Sequence, residues 1–374
     1  VMQNKITYVL MLSVCSKIAS LTEGRKLHAC ITALGCETDI MVGTALINMY
    51  NKCGQVDNAK DIFGRALGHD LIMWNAMIAG CSLNVKPEDV YQLYAQMQQE
   101  GAMPNEATYT SVLDVCTSSS EGKRVHAHIM GMPLGIGIIA GAALLNMYGK
   151  CGSLDEVHHY FKEIIHRDVV SWSSIIGGYA QQGHGEKALE YYGRMKCEGI
   201  SPNAITFINS LRACSSSGAV DIGRKIHAEI IKENFEGDIR VANTLIDLYA
   251  KLGMLAEAQS VFDEVVTRDV VTWTALISGY SEQGLGEQAL CYYEQMLSEK
   301  LAPDKVIIMC ALKACGNQGA TARGGEIHAE IESKGLLETH LFVGSTLVDM
   351  YAKCGSLMKA QQVFNKLPIR NIVP

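Results

Sequence analysis

The sequence predicts an all-α protein, a right-handed α-solenoid superhelix of helix-turn-helix repeats. Three observations carry that expectation. Trp74, Trp172 and Trp273 mark three passages that repeat almost position for position. Each passage resolves into short stretches with the i, i+3, i+4, i+7 spacing of one buried helix face. The chain of 374 residues is 48% hydrophobic and 19% charged, which marks it as folded and leaves room for a repeat array.

The units follow in order as 5–39, 40–70 and 71–105, then 106–137, 138–168 and 169–203, then 204–238, 239–269 and 270–304. Units 305–340 and 341–371 begin a fourth round, with partial units at both ends of the chain. Those like 40–70 run 31 residues and those like 71–105 run 35. The kind that includes 5–39 is also 35 residues long, with a deletion in 106–137 and an insertion in 305–340. Within 169–203, Trp172, Ile175, Ile176 and Tyr179 predict the buried face of a first helix, and Ala188, Leu189, Tyr192 and Met195 that of a second. Gly183-His184-Gly185 is the expected turn between them. Gly199 stands where a left-handed residue ends a helix, and Pro202 follows it. Helix pairs this short cannot bury both faces alone, so they must stack on their neighbours.

Composition excludes several functions. A net charge of −7 argues against holding polyanions by bulk electrostatics, so any nucleic-acid contact must rest on local placement. The 13 cysteines contain no C-x-x-C pair and suit a reducing compartment. Cys15, Cys116, Cys214 and Cys315 share one repeat position and Cys53, Cys151 and Cys354 another, so they are expected to be buried small apolar residues. The uncharged run 129–149 holds Pro133, five glycines and Asn146, and is expected to be repeat rather than membrane span. Val1 falls inside a repeat and Pro374 just after another begins, so the chain is expected to be a fragment whose targeting segment lies elsewhere.

The motifs that suggest chemistry dissolve on inspection. His166-Arg167-Asp168 matches the start of a kinase catalytic loop, but the rest of that loop is missing, as are a kinase's glycine-rich phosphate loop, strand lysine and D-F-G. The tripeptide recurs as Thr267-Arg268-Asp269, as a structural repeat does. The glycines of "GHGE" and "GLGE" lack the lysine and hydroxyl of a phosphate loop. His227-Ala228-Glu229 and His328-Ala329-Glu330 match half of a deaminase zinc motif without the P-C-x-x-C half. These histidines are expected to pack within the repeat. No cofactor or metal is expected, and the chain is not expected to be an enzyme.

The stretches "GYAQQGHGEKALEYYGRMKCEGISPN", "LINMYNKCGQVDNAKDIF" and "SSSGAVDIGRKIHAEIIK" resemble P, S and L motifs of the pentatricopeptide repeat family, in the plant organellar subclass where the three alternate. The resemblance covers essentially the whole chain. It implies single-stranded RNA as the partner, with the fifth and last residues of each motif reading one base together. The P-like and S-like pairs would then be Thr44 with Asp70, Asn75 with Asn105, Ser173 with Asn203, Asn243 with Asp269, Thr274 with Asp304 and Ser345 with Asn371. Ala142 with Asp168 departs from the pattern. The L-like units place Val9, Thr110, Ile208 and Met309 at the fifth position, mostly unable to read a polar base edge.

Aspartate or asparagine at a unit's end is also a good N-cap for the next helix. Capping accounts for the last position but gives no reason for the fifth to vary among Asn, Ser and Thr. An amide or hydroxyl offers a donor and an acceptor to a Watson–Crick edge, while a carboxylate only accepts. By resemblance to the family's code, the units read, 5′ to 3′, x-G-Y-x-x-A-x-U-G-x-A. Second residues Met41, Ile72, Ile139, Val170, Val271 and Phe342 are expected as base-stacking walls, with Arg240 stacking its guanidinium or touching phosphate. Lys52, Lys150, Lys251 and Lys353 recur just before the S-like turn and are expected at phosphate. The resemblance further implies the recognition part of an RNA C-to-U editing factor in mitochondrion or chloroplast, working with editing-complex proteins and no membrane. The rival is a protein-binding helical-repeat scaffold, whose tetratricopeptide form keeps a uniform 34-residue unit.

Overall fold

The computed structural model describes residues 5–131, 137–164 and 167–367. Among these the secondary structure is helical throughout, with no strand. Part of the uncharged run 129–149 lies outside the described residues, as do His166 and Asn371; no helix among the described residues is long and apolar enough to cross a membrane.

Each first helix begins on the first residue of its unit: Ile40–Lys52, Leu71–Leu83, Glu106–Asp114, Ile138–Lys150, Val169–Gln181 and so on through Leu341–Lys353. For most of them the reason is the residue just before, although Gly137 and His340 supply no side-chain cap. Asp70 turns the chain into the Leu71–Leu83 helix with extended backbone and accepts the Met73 amide at 2.7 Å. Asp168, Asn203 and Asp269 do the same for Ser171, Thr206 and Thr272 at 2.9, 2.9 and 2.8 Å. An oxygen there satisfies a donor that the first turn leaves orphaned. The 31-residue units owe their shortness to their second helices, Val56–Arg65, Leu154–Glu163, Leu255–Glu264 and Leu357–Lys366, each of 10 residues.

The chain divides into two compact units, Val1–Gln182 and Gly183–Pro374. In each, successive first helices pack side by side in a row, and the second helices form a layer against them, joined to one another by side-chain contacts such as that of Tyr94 with His128. The core lies between the two layers. Trp172, Ile175, Ile176 and Tyr179 are buried as the spacing predicts. On the Gly185–Cys197 helix, Ala188, Tyr192 and Met195 are buried, but Tyr191 takes the place expected of Leu189, which is half-buried. The rows close tightly where side chains vanish. A Cβ on Gly149 would stand 2.7 Å from Cα of Gly178, so these two backbones meet directly.

Aromatic pairs tie each S-like second helix to the next first helix. The rings of Phe63 and Trp74, Phe161 and Trp172, and Phe262 and Trp273 meet edge-on at 4.7, 4.8 and 4.8 Å. Arg167, from the kinase-like tripeptide, lays its guanidinium over the Phe161 ring at 5.0 Å and donates to the Phe161 carbonyl. Arg268 repeats this on Phe262. Arg167 and Asp168 thus form a joint between a second helix and the next first helix. Of the recurring cysteines, Cys15, Cys116, Cys214 and Cys315 are buried; Cys53, Cys151 and Cys354 are only half-buried, because they cap the exposed C-terminal end of a first helix.

Candidate nucleic-acid interface

Residues two and five of a first helix lie three apart, hence on one face. The first helices of a row therefore present these two positions as parallel lines. At the second position the side chains point outward despite being apolar: Met41, Ile72, Ile139, Val170, Val271 and Phe342 are 45–72% exposed. The L-like helices also expose this position, at Ile6 in the first compact unit and at Ile205 and Val306 in the second. Sequence reasoning missed these three, although they occupy the same position as the others. Burial gives no reason to keep apolar groups there.

The fifth residues lie beside that line, buried or half-buried. Thr44, Ser173 and Thr274 each bond a hydroxyl back to the carbonyl four residues earlier, at 2.7 Å. Three pairs are brought within hydrogen-bonding distance of one another. Nδ2 of Asn75 donates to Oδ1 of Asn105 at 3.0 Å, and Nδ2 of Asn243 to Oδ1 of Asp269 at 3.2 Å. Oγ1 of Thr274 lies 3.5 Å from Oδ2 of Asp304. No hydrogen bond joins Thr44 to Asp70 among the described residues. Ser173 belongs to the first compact unit and Asn203 to the second, where Asn203 caps the Ala204–Ser217 helix. Ser345 is half-buried, and its partner Asn371 lies outside the described residues.

Capping and base reading do not compete for the same atom. Asp70, Asn105, Asp168, Asn203, Asp269 and Asp304 all accept the cap amide with Oδ1. The second polar atom, Oδ2 in aspartate or Nδ2 in asparagine, is not used by the cap; in Asp304 it lies within reach of the Thr274 hydroxyl. For Asp269, burial pulls the carboxyl up, but hydrogen bonds from Thr272 and Asn243 outweigh it and hold the group below the usual aspartate range. It stays ionised and accepts only.

The cationic candidates divide. Lys251 and Lys353 are exposed but bridge Asp247 and Asp349 at 2.8 Å. Lys52 and Lys150 are exposed and make no ion pair among the described residues, since Asn48 and Asn146 replace those aspartates. Arg240 forks onto Asp238, the last residue of the preceding L-like unit, with Nε and an Nη at 3.2 and 2.8 Å.

The H-x-E segments separate their two polar groups. Nδ1 of His227 meets the Tyr249 hydroxyl at 2.8 Å, while Glu229 accepts from Tyr192 and Lys196 on the other side. His328 and Glu330 diverge in the same way, to Tyr351 and Tyr293. No group of three or more His, Cys, Asp or Glu residues suited to a metal occurs among the described residues.

Residues 69–118, 167–216 and 268–317 match the PPR repeat family, and 44–71, 143–169, 241–270 and 345–372 match the PPR repeat. The chain belongs to the pentatricopeptide repeat family. A chloroplastic pentatricopeptide repeat-containing protein of Arabidopsis thaliana is 34% identical to it over 373 residues, covering 99% of this chain and 60% of its own length. A mitochondrial one from the same plant is 32% identical over 383 residues, covering 99% of this chain and 54% of its own length. This pentatricopeptide repeat chain thus spans little more than half of these relatives. Its fold is shared with the solved pentatricopeptide repeat protein PPR10 in complex with an 18-nt psaJ RNA element, at a TM-score of 0.70 and 17% identity over 89% of this chain and 51% of that one.

Proposed function

We infer that the chain binds single-stranded RNA sequence-specifically, one base per repeat, as the recognition module of an organellar RNA C-to-U editing factor. The observation that supports this most is the line of exposed apolar second residues running beside the polar fifth and last residues. Apolar side chains flank a flat base on its faces while polar ones meet its edge, which is how single-stranded bases are held when unstacked. A solvated helix face would place polar residues in both lines.

The leftover Oδ2 or Nδ2 at each cap gives the slots different character. Thr44 with Asp70 and Thr274 with Asp304 suit guanine, Asn243 with Asp269 suits uracil, and Ser173 with Asn203 suits adenine. Asn75 with Asn105 suits a pyrimidine. Lys52 and Lys150, exposed and without an ion pair among the described residues, are the candidates for phosphate contact. The alternation of 35- and 31-residue units is the basis for the editing role, and the chloroplastic and mitochondrial relatives are the basis for an organellar transcript as target. Every candidate catalytic residue is a recurring structural one, so the reaction would be supplied from outside these repeats, with editing-complex proteins as partners.

The test is binding to an RNA carrying x-G-Y-x-x-A-x-U-G-x-A and to versions altered at single slots. Affinity should fall when the base is changed at any of the slots named above. If all versions bind alike, base reading is refuted; if a peptide binds and RNA does not, the scaffold reading takes its place.

A further inference from the structure

The unit 106–137 breaks the capping rule. Its last residue is Gly137, which has no side chain, yet the next helix, Ile138–Lys150, is capped. The cap comes from Glu106, the first residue of the unit's own first helix. Its Oε1 accepts the amides of Ile139 and Ala140 at 2.9 and 3.0 Å. In the unit 5–39 the corresponding amides, those of Met41 and Val42, go to Oδ1 of Asp39 at 3.1 and 3.3 Å. Glu106 therefore sets a carboxylate oxygen where the last residue's oxygen normally sits.

Gly137 is what admits it. A Cβ on residue 137 would collide with Oε1 of Glu106 and stand 2.8 Å from its Cδ. The two departures belong together. The second oxygen of Glu106, Oε2, accepts no hydrogen bond among the described residues, as with Oδ2 of Asp70 and Asp168.

Four residues on, and so on the same face, stands Thr110, the one L-like fifth residue with a polar group. It is half-buried and bonds its hydroxyl back to the Glu106 carbonyl at 2.8 Å, the conformation of Thr44 and Thr274. We propose that Glu106 and Thr110 form a base-reading pair within one helix, which makes the fourth repeat's slot selective for guanine. Guanine is the base whose Watson–Crick edge carries two adjacent donors, N1–H and the N2 amino group, to match a free carboxylate oxygen, with O6 as acceptor for the hydroxyl. This rests on the one-base-per-repeat reading above.

The test measures dissociation constants for four RNAs that differ only at the fourth slot, beside a matched set that differs only at the second slot, opposite Thr44 and Asp70. Guanine should be preferred at the fourth slot by roughly tenfold, within the range of a good two-point base contact. Glu106→Gln keeps an oxygen for the cap but turns the second atom into a donor, and should abolish that preference while leaving the second slot unchanged. Glu106→Ala combined with Gly137→Asp returns the carboxylate to its usual residue and should restore guanine selectivity, which guards against a mere loss of folding. A fourth slot indifferent to its base, or a guanine preference untouched in Glu106→Gln, overturns the proposal while discrimination at the second slot shows that base reading stands. If neither slot discriminates, both fall.

Discussion

Asn243 and Asp269 lie on neighbouring first helices, and Oδ1 of Asp269 binds both the Asn243 amide, at 3.2 Å, and the Thr272 amide, at 2.8 Å. One oxygen thus holds together a helix start and the side chain proposed to read a base. The Asn243 carbonyl oxygen is buried and meets no hydrogen-bond donor among the described residues. Rotation of that amide toward an RNA edge would satisfy it. A wrong base opposite Asn243 should cost roughly 1–3 kcal/mol, and Asn243→Thr should move the preference from uracil towards guanine. Competition binding with single-slot RNAs measures both. Unchanged base ranking in Asn243→Thr would contradict the assignment.

Asp70 separates capping from reading. Asp70→Ala removes the oxygen that holds the Met73 amide, and should cost about 1 kcal/mol of stability as well as selectivity at the second slot. Asp70→Asn keeps a cap oxygen and changes only the leftover atom, from acceptor to donor. It should melt close to the parent and shift the second slot from guanine towards adenine. Thermal melts and slot binding on the two variants together decide whether one side chain has both roles.

The exposed apolar line should matter to RNA and not to folding. Val271 and Ile72 are more than half exposed, so Val271→Ser and Ile72→Ser leave no cavity behind. Each loses the apolar area that would cover a base face, on the order of 1 kcal/mol of binding free energy. The loss should be the same whichever base occupies the neighbouring slot, which distinguishes a wall from an edge contact. Affinities for a matched and a mismatched RNA, with melting temperatures as control, provide the measurement.

Helix starts were legible because one feature marks them: an aspartate or asparagine before an apolar stretch, as at Asp70-Leu71 and Asp269-Val270. The polar bond between His227 and Tyr249 was not, since the histidine read as packing. The signal was nevertheless present, because His28 and Tyr50, and His126 and Tyr148, keep the same spacing of 22 residues. The pairing of Lys251 with Asp247 could also have been foreseen from their i, i+4 spacing on one helix. The fork of Arg240 onto Asp238 is a choice of rotamer among neighbours, which sequence does not specify. The cap from Glu106 was hidden for another reason. It crosses 33 residues and replaces a side chain at a position where the sequence shows only glycine.

The recurring histidines should make the fold sensitive to acid. Burial pulls the imidazoles of His126, His227 and His328 below their ordinary value of 6.5, against the smaller opposing pull of Glu163, of Glu264 and Glu236, and of Glu332 respectively. Nδ1 of each meets the hydroxyl of Tyr148, Tyr249 or Tyr351, whose own ionisation burial postpones to higher pH. A group whose folded-state pKa is depressed takes up its proton more readily when unfolded. The contribution to stability is therefore fully present above pH 6.5 and is lost as pH falls from there through the folded-state values. Melting temperature should be flat just above that point and decline below it. His227→Gln keeps an acceptor for Tyr249 without a titrating group, and should make the decline shallower. An identical slope in the variant would show that His227 is not part of the acid sensitivity.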